Sequence, residues 1–125
     1  MAVKSYRLRQ VEVELLSAPT GKTYAVTTIM VCNHSSTDAA SFDLHIVGNG
    51  DPIGDGQDDS NSTKVVNNLI LAPEETFTFD TEKIVLAEGD RIVAFSEPGV
   101  KDDPLLPVGN NELTNLGAVI SWLEV

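Results

Sequence analysis

Residues 22 to 33 constrain the fold more than any other stretch of the chain. In an extended conformation alternate side chains point to opposite faces, and here both faces are largely apolar. The stretch is rich in Val, Ile and Thr, which pack well in strands and lose rotamer freedom in a helix. A strand that is apolar on both sides needs cover on both, so we predict a central strand of a sheet. The turn-forming run from Asn33 to Asp38 predicts where this strand ends.

Seven further segments have the composition of short strands, and turn-forming residues separate them. They are residues 5 to 17, 41 to 48, 64 to 72, 76 to 80, 84 to 86, 91 to 96 and 113 to 125. In the first of them the apolar side switches near Gln10, which predicts a bulge or bend. A helix is the alternative for that segment alone. The chain is therefore predicted to be all-β, an antiparallel two-sheet β-sandwich of seven or eight strands.

Residues 41 to 48 alternate regularly, which is the pattern of a strand with one face in the core and one in water. Phe42, Leu44 and Ile46 form the inward set. The outward set, which is predicted to face water, contains Ser41, Asp43, His45 and Val47.

Length and charge exclude several classes of protein. The 125 residues suit one domain, and the formal net charge is −11. This charge argues against nucleic acid and anionic membranes as partners, because both bind through basic faces. The N-terminus lacks the apolar core of a signal peptide and predicts a cytosolic start, and no apolar run is long enough to span a membrane. The single cysteine, Cys32, cannot form an intrachain disulfide and is predicted to be a small buried hydrophobe.

Residues 1 to 21 differ in charge from the rest, and we separate them from a β-sandwich domain at residues 22 to 125. Residues 1 to 22 hold four basic and two acidic side chains, whereas the remainder is strongly acidic. The segment is either a basic arm that lies on an acidic neighbour or an edge strand protected by its Lys and Arg side chains. The edge strand is the simpler interpretation. Arg7 and Arg9 are the interface candidates of this segment.

Residues 48 to 63 form the longest polar run, with four Gly, four Asp and no basic residue. Loops of this length in compact domains are usually functional or disordered. Asp51, Asp55, Asp58 and Asp59 carry the oxygen ligands that Ca²⁺ prefers, but their spacing does not match an EF-hand. A solvated acidic loop is the favoured interpretation, and ordering of the loop on a partner is a further hypothesis.

The sequence contains little catalytic material. Nucleophile-elbow, phosphate-binding-loop and paired-histidine motifs do not occur in it. One Cys and two His do not supply a tetrahedral zinc site. His34 is interpreted as a loop residue and His45 as a cross-strand or subunit contact, rather than as general bases. We therefore predict no enzyme activity and no cofactor.

Four segments carry a resemblance to a known group of proteins: residues 24 to 33 (YAVTTIMVCN), 42 to 46 (FDLHI), 71 to 80 (LAPEETFTFD) and 84 to 92 (IVLAEGDRI). The strand that ends in Cys-Asn, the turn before the Thr-Phe-Thr-Phe strand, the Gly-Asp step and the closing strand at 117 to 125 resemble those of small tailed-phage virion proteins. The resemblance covers residues 22 to 125. It implies an immunoglobulin-like or jelly-roll-like sandwich that occurs in several copies per particle, without a catalytic motif.

The resemblance implies a non-enzymatic bacteriophage structural subunit of the tail, neck or baseplate, assembled in the host cytoplasm. Its expected partners are other virion proteins and further copies of itself. A capsid decoration protein is the close alternative. A carbohydrate- or receptor-binding module is the alternative from another class, but most of the seven aromatic residues fall among apolar strand residues and predict core positions. Leu105 and Leu106 either fold back over an open end of the sandwich or dock a neighbouring subunit.

Overall fold

Nine antiparallel strands make up the fold. The structure is a computed structural model, and it describes residues 2–10, 12–54, 62–79, 84–96 and 113–125. Its strands are β1 Ala2–Arg9, β2 Val13–Ser17, β3 Tyr24–Asn33, β4 Ala40–Val47, β5 Lys64–Leu71, β6 Thr76–Phe79, β7 Ile84–Leu86, β8 Arg91–Ser96 and β9 Leu113–Glu124. Among the described residues there is no helix that could cross a membrane. The predicted antiparallel β-sandwich is confirmed, with nine strands in place of seven or eight.

The strands form two sheets that pack against each other. Sheet A has the strand order β1-β9-β3-β6, and β7 also pairs with β3; sheet B has the order β2-β8-β4-β5. Residues 5 to 17, predicted as one segment, divide between the sheets, because the chain leaves sheet A after Arg9 and enters sheet B at Val13. The switch of the apolar side near Gln10 marks this crossing. The helix alternative for this segment is wrong.

Strand β3 is interior to sheet A, as predicted, because it pairs with β9 on one side and with β6 and β7 on the other. Its inward side chains, which include Ile29 and Val31, are fully buried. No described strand lies over its opposite face, where Met30 is 37% exposed and Cys32 is partly exposed. The prediction that Cys32 is a buried hydrophobe is therefore wrong.

Aromatic side chains supply much of the core between the sheets. The ring centroids of Phe42 and Phe77 are 5.8 Å apart, as are those of Tyr24 and Trp122, and both pairs are tilted. Tilted pairs at this separation are favourable beyond the area they bury. All seven aromatic residues lie in the described part of the chain: Phe42 and Trp122 are buried in the core, and Tyr6, Tyr24, Phe77 and Phe79 are partly buried against it. The prediction that most aromatic residues occupy the core is confirmed.

The outward side of β4 is buried, contrary to prediction. The four side chains predicted to face water are all buried: Ser41, Asp43, His45 and Val47. Thr63, at the end of the polar run, folds over this side and places its Oγ1 2.8 Å from His45 Nδ1. The Phe95 ring stacks on the same imidazole at 5.4 Å. The Asp43 carboxylate accepts a hydrogen bond from the backbone N–H of Asn68 at 2.6 Å. This bond holds β5 in place at Asn68, where φ is positive at 47°.

Asn33 joins the two sheets at one end of the sandwich. It ends β3 in sheet A, and its side chain is fully buried. The amide nitrogen donates to the carbonyl of Leu71 in sheet B at 3.1 Å and to the carbonyl of Asp38 at 2.8 Å. The amide oxygen accepts the backbone N–H of Ser35 at 3.0 Å. The predicted end of β3 at Asn33 is therefore fixed by the side chain of that residue.

Candidate docking surface on sheet A

Among the described residues, the outer face of sheet A carries no acidic side chain. Directly paired residues of neighbouring strands lie on the same face of a sheet, so the register assigns the side chains of this face. They are Val3, Ser5, Arg7, Ala25, Thr28, Met30, Cys32, Thr76, Thr78, Val85, Gly117, Val119, Ser121 and Leu123. Arg7 is the one charged member of this set, whereas the whole chain has 19 acidic residues and a net charge of −11. Within the described ranges, negative charge is therefore segregated away from this face.

Exposed apolar side chains are concentrated on the same face. Seven large hydrophobic side chains are exposed in the described residues, and four of them lie here: Val3, Met30, Val85 and Leu123. An isolated exposed hydrophobe on a protein surface needs no explanation. Several on one face that lacks acidic residues are typical of an interaction surface. On sheet B the outward side chains of β4 are buried, and the exposed hydrophobes, Val65 and Ile70, lie on the edge strand β5.

A groove of about 890 Å³ crosses the outer face of sheet A near its Arg7 end. The imidazole of His34 lies over Gly117, since a Cβ on that glycine would be 2.5 Å from His34 Nε2. Gly117 therefore provides the space that the ring occupies. Arg7 Nε donates to the carbonyl of Thr114 at 2.8 Å, which fixes the guanidinium at the same end of the groove. The groove thus has an apolar wall at Met30 and two side chains that carry nitrogen atoms, Arg7 and His34.

The two edges of sheet A differ in charge. Strand β1 forms one edge, and its Lys4, Arg7 and Arg9 side chains are exposed, with no acidic residue in the strand. Strands β6 and β7 both form the opposite edge, and β6 follows a turn that contains Glu74 and Glu75, both exposed. No further described strand pairs with either edge. Sheet A therefore has a basic edge at β1 and acidic residues beside its opposite edge.

The predicted site residues fall into two groups. Arg7 and Arg9 lie on β1, which pairs with β9 of the same chain as an edge strand. Asp51 is exposed near a turn in which its N–H donates to the carbonyl of Gly48 at 3.1 Å. The remaining candidates lie outside the described residues: Asp55, Asp58, Asp59, Leu105 and Leu106. Within the described ranges, no three His, Cys, Asp or Glu side chains come together as a metal site.

Sequence reasoning missed the outer face of sheet A as a surface. The signal was present at alternate positions of three segments that lack acidic residues: Val3 to Arg7, Ala25 to Cys32 and Gly117 to Leu123. The sequence does not show that these three segments are neighbours in the sheet. The strand order β1-β9-β3 places these three segments side by side.

Comparison of the chain with family models, curated proteins and solved structures gives no match. The function must therefore be inferred from the surfaces and residues of the chain itself.

Proposed function

We propose that the protein is a non-enzymatic structural subunit that binds another protein through the outer face of sheet A. The observation that carries the proposal is the segregation of charge: the chain has a net charge of −11, yet no described acidic side chain lies on this apolar face. Protein interfaces combine an apolar centre with charge-complementary groups at the rim. The partner surface is therefore expected to be apolar at its centre and acidic where it meets Arg7 and His34.

The resemblance to small tailed-phage virion proteins narrows this proposal to a subunit of a phage particle. Tail, neck or baseplate is the first candidate position, and decoration of the capsid is the second. The partners are then other virion proteins. Support comes from the small β-sandwich with edge strands on both sheets that the described residues leave open, because open edges and faces let such a domain join an assembly.

The distribution of aromatic residues favours this proposal over a carbohydrate-binding module. Sugar-binding sites on β-sandwiches use exposed aromatic rings as platforms. Every aromatic residue of this chain is described; Phe42 and Trp122 are buried, and the other five are partly buried. Phe95 lies outside the core between the sheets, yet its ring is stacked on His45. No fully exposed aromatic ring is therefore available as a platform for a sugar.

A single charge on the face tests the proposal. Met30→Glu places a carboxylate at the centre of the outer face of sheet A, where the native side chain is 37% exposed and so leaves room for the change. Val65→Glu on β5 is the matched control, because Val65 is 45% exposed on sheet B. The tagged chain is co-expressed with the proteins encoded beside it, and the affinity for any co-purified partner is measured by calorimetry. We expect Met30→Glu to weaken binding at least about tenfold and Val65→Glu to leave it within about twofold.

Equal binding by the two variants would contradict the assignment of the interface to this face. Mass spectrometry of particles purified from the infected host tests the narrower proposal. Several copies of the chain per particle support a virion subunit. A particle preparation that lacks the chain refutes it.

A further inference from the structure

Opposite edges of sheet A carry opposite charges at the same level of the sheet. The register links Arg7 to Gly117, Gly117 to Cys32, and Cys32 to Thr76, so Arg7 and Thr76 lie in one row across four strands. Arg9 lies beyond this row on the basic edge. On the other edge, Glu74 and Glu75 lie beyond it in the same direction, because β1 and β6 run antiparallel. The basic and acidic groups are therefore at the same end of the sheet.

The strand directions allow the two edges to join. Strand β1 is antiparallel to β9, β9 is antiparallel to β3, and β3 is antiparallel to β6. A second copy displaced sideways across the sheet would therefore place its β1 antiparallel to β6 of the first copy. Edge strands present unpaired backbone N–H and C=O groups, and antiparallel pairing satisfies them with a second chain.

We propose that copies of this chain associate head to tail through these two edges, so that sheet A continues from one copy into the next. Arg7 and Arg9 of one copy then lie against Glu74 and Glu75 of its neighbour. This inference goes beyond the proposed function, because it concerns how copies join to one another. Arg7 borders both surfaces, and the rest of the outer face, with Met30 at its centre, stays free for a different partner. A head-to-tail interface repeats and produces a ring or a filament.

Charge also selects head-to-tail pairing over a two-fold dimer. A two-fold pairing of β1 with β1 brings the basic side chains Lys4, Arg7 and Arg9 against their own copies. A two-fold pairing of β6 with its own copy is antiparallel, so Glu74 and Glu75 lie at opposite ends of the pair and away from the basic edge of either copy. Like charges placed across an interface oppose association, whereas the basic edge against the acidic edge is complementary.

A charge-swap experiment on the full chain tests the inference. Sedimentation velocity is measured over a concentration series at low salt for the wild type, for Arg7→Glu/Arg9→Glu and for Glu74→Lys/Glu75→Lys. We expect the wild type to associate as concentration rises, and each double variant to associate at least about tenfold more weakly. An equimolar mixture of the two variants is expected to recover association, because each reversed edge then meets an edge of opposite charge. Added salt is expected to weaken wild-type association, since the charges are exposed and screened.

The matched control for Glu74→Lys/Glu75→Lys is Glu12→Lys/Glu14→Lys, which makes the same charge change at two exposed positions, one before β2 of sheet B and one in it. It is expected to associate like the wild type. Urea midpoints establish that each variant is folded. If the Arg7 change unfolds the chain through loss of its bond to Thr114, Arg9→Glu alone replaces the double variant in the mixture.

Three outcomes overturn the inference: a wild-type chain that stays monomeric up to roughly millimolar concentration, a mixture that stays monomeric, and double variants that associate like the wild type. The Met30→Glu variant separates a failure of the head-to-tail inference from a failure of the proposed function. That variant alters the outer face and not the edges, so it is expected to keep self-association while it loses the other partner.

Discussion

Replacing Asn33 by Asp is expected to destabilise the protein more than replacing it by Ala, although Asp is nearly identical to Asn in shape. The reason is the set of groups around the fully buried side chain. The amide nitrogen faces the carbonyl oxygens of Asp38 and Leu71, so it must be a donor. An oxygen in its place would face two acceptors and would carry negative charge out of contact with water.

The contacts of Asn33 set the size of the effect. Ala removes the two donor bonds and the acceptor bond to Ser35, which contribute about 1 kcal/mol each, and leaves buried groups unsatisfied. We expect a loss of about 3–4 kcal/mol. Asp keeps the acceptor bond, but an uncompensated buried charge costs about 3–5 kcal/mol by itself. Adding the lost donor bonds gives about 5 kcal/mol or more.

Urea unfolding measures this order directly. Trp122 is the only tryptophan and is largely buried in β9, so its fluorescence and the far-ultraviolet dichroism report the same transition. Asn67→Asp on β5 is the matched control, because it makes the same chemical change at an exposed residue. It is expected to change the free energy of unfolding by less than about 0.5 kcal/mol. A variant Asn33→Asp that is more stable than Asn33→Ala would refute the assignment of donor and acceptor around this side chain.

Three further substitutions test individual contacts by the same unfolding assay. Asp43→Asn removes the charge that accepts the N–H of Asn68 and is expected to cost about 2 kcal/mol; an unchanged midpoint would contradict a role for that carboxylate. Gly89→Ala is expected to cost about 2 kcal/mol, because φ is +84° and the new Cβ would overlap the Asn49 side chain; a neutral result would contradict strain at this turn. Gly117→Ala is expected to change stability by less than about 0.5 kcal/mol, since the exposed ring of His34 can swing away, and the ring's displacement should be visible as changed His34 NMR shifts.

Local pattern predicted the strands well where alternation ran uninterrupted. Strand β3 was identified within two residues, because its β-branched residues disfavour a helix and Asn33 begins a turn. Residues 5 to 17 were harder, since the switch near Gln10 is compatible with a bulge inside one strand or with a crossing between two sheets. The choice depends on pairing partners far away in the chain: β9 for the first half and β8 for the second.

Exposure was predicted less well than strand position, and the errors at Cys32 and His45 have one cause. Alternation assigns side chains to two faces of a strand, but it does not say which faces are covered. Cys32 points to the outer face of sheet A, where it is partly exposed. His45 points away from the core, yet Thr63 and Phe95 pack against it. Cover over a face comes from parts of the chain that are distant in sequence.

The candidate interfaces could be predicted only in part, because they too depend on which distant parts of the chain become neighbours. The basic residues Arg7 and Arg9 and the acidic pair Glu74 and Glu75 are visible in the sequence as separate short charged segments. Each alone is ordinary protection of an edge strand, because charged side chains discourage pairing with another edge. Their positions at one level on opposite edges of a single sheet follow from the strand order β1-β9-β3-β6. Charges that repel an identical edge also attract the opposite one, so the arrangement that prevents two-fold pairing is the arrangement that favours head-to-tail assembly.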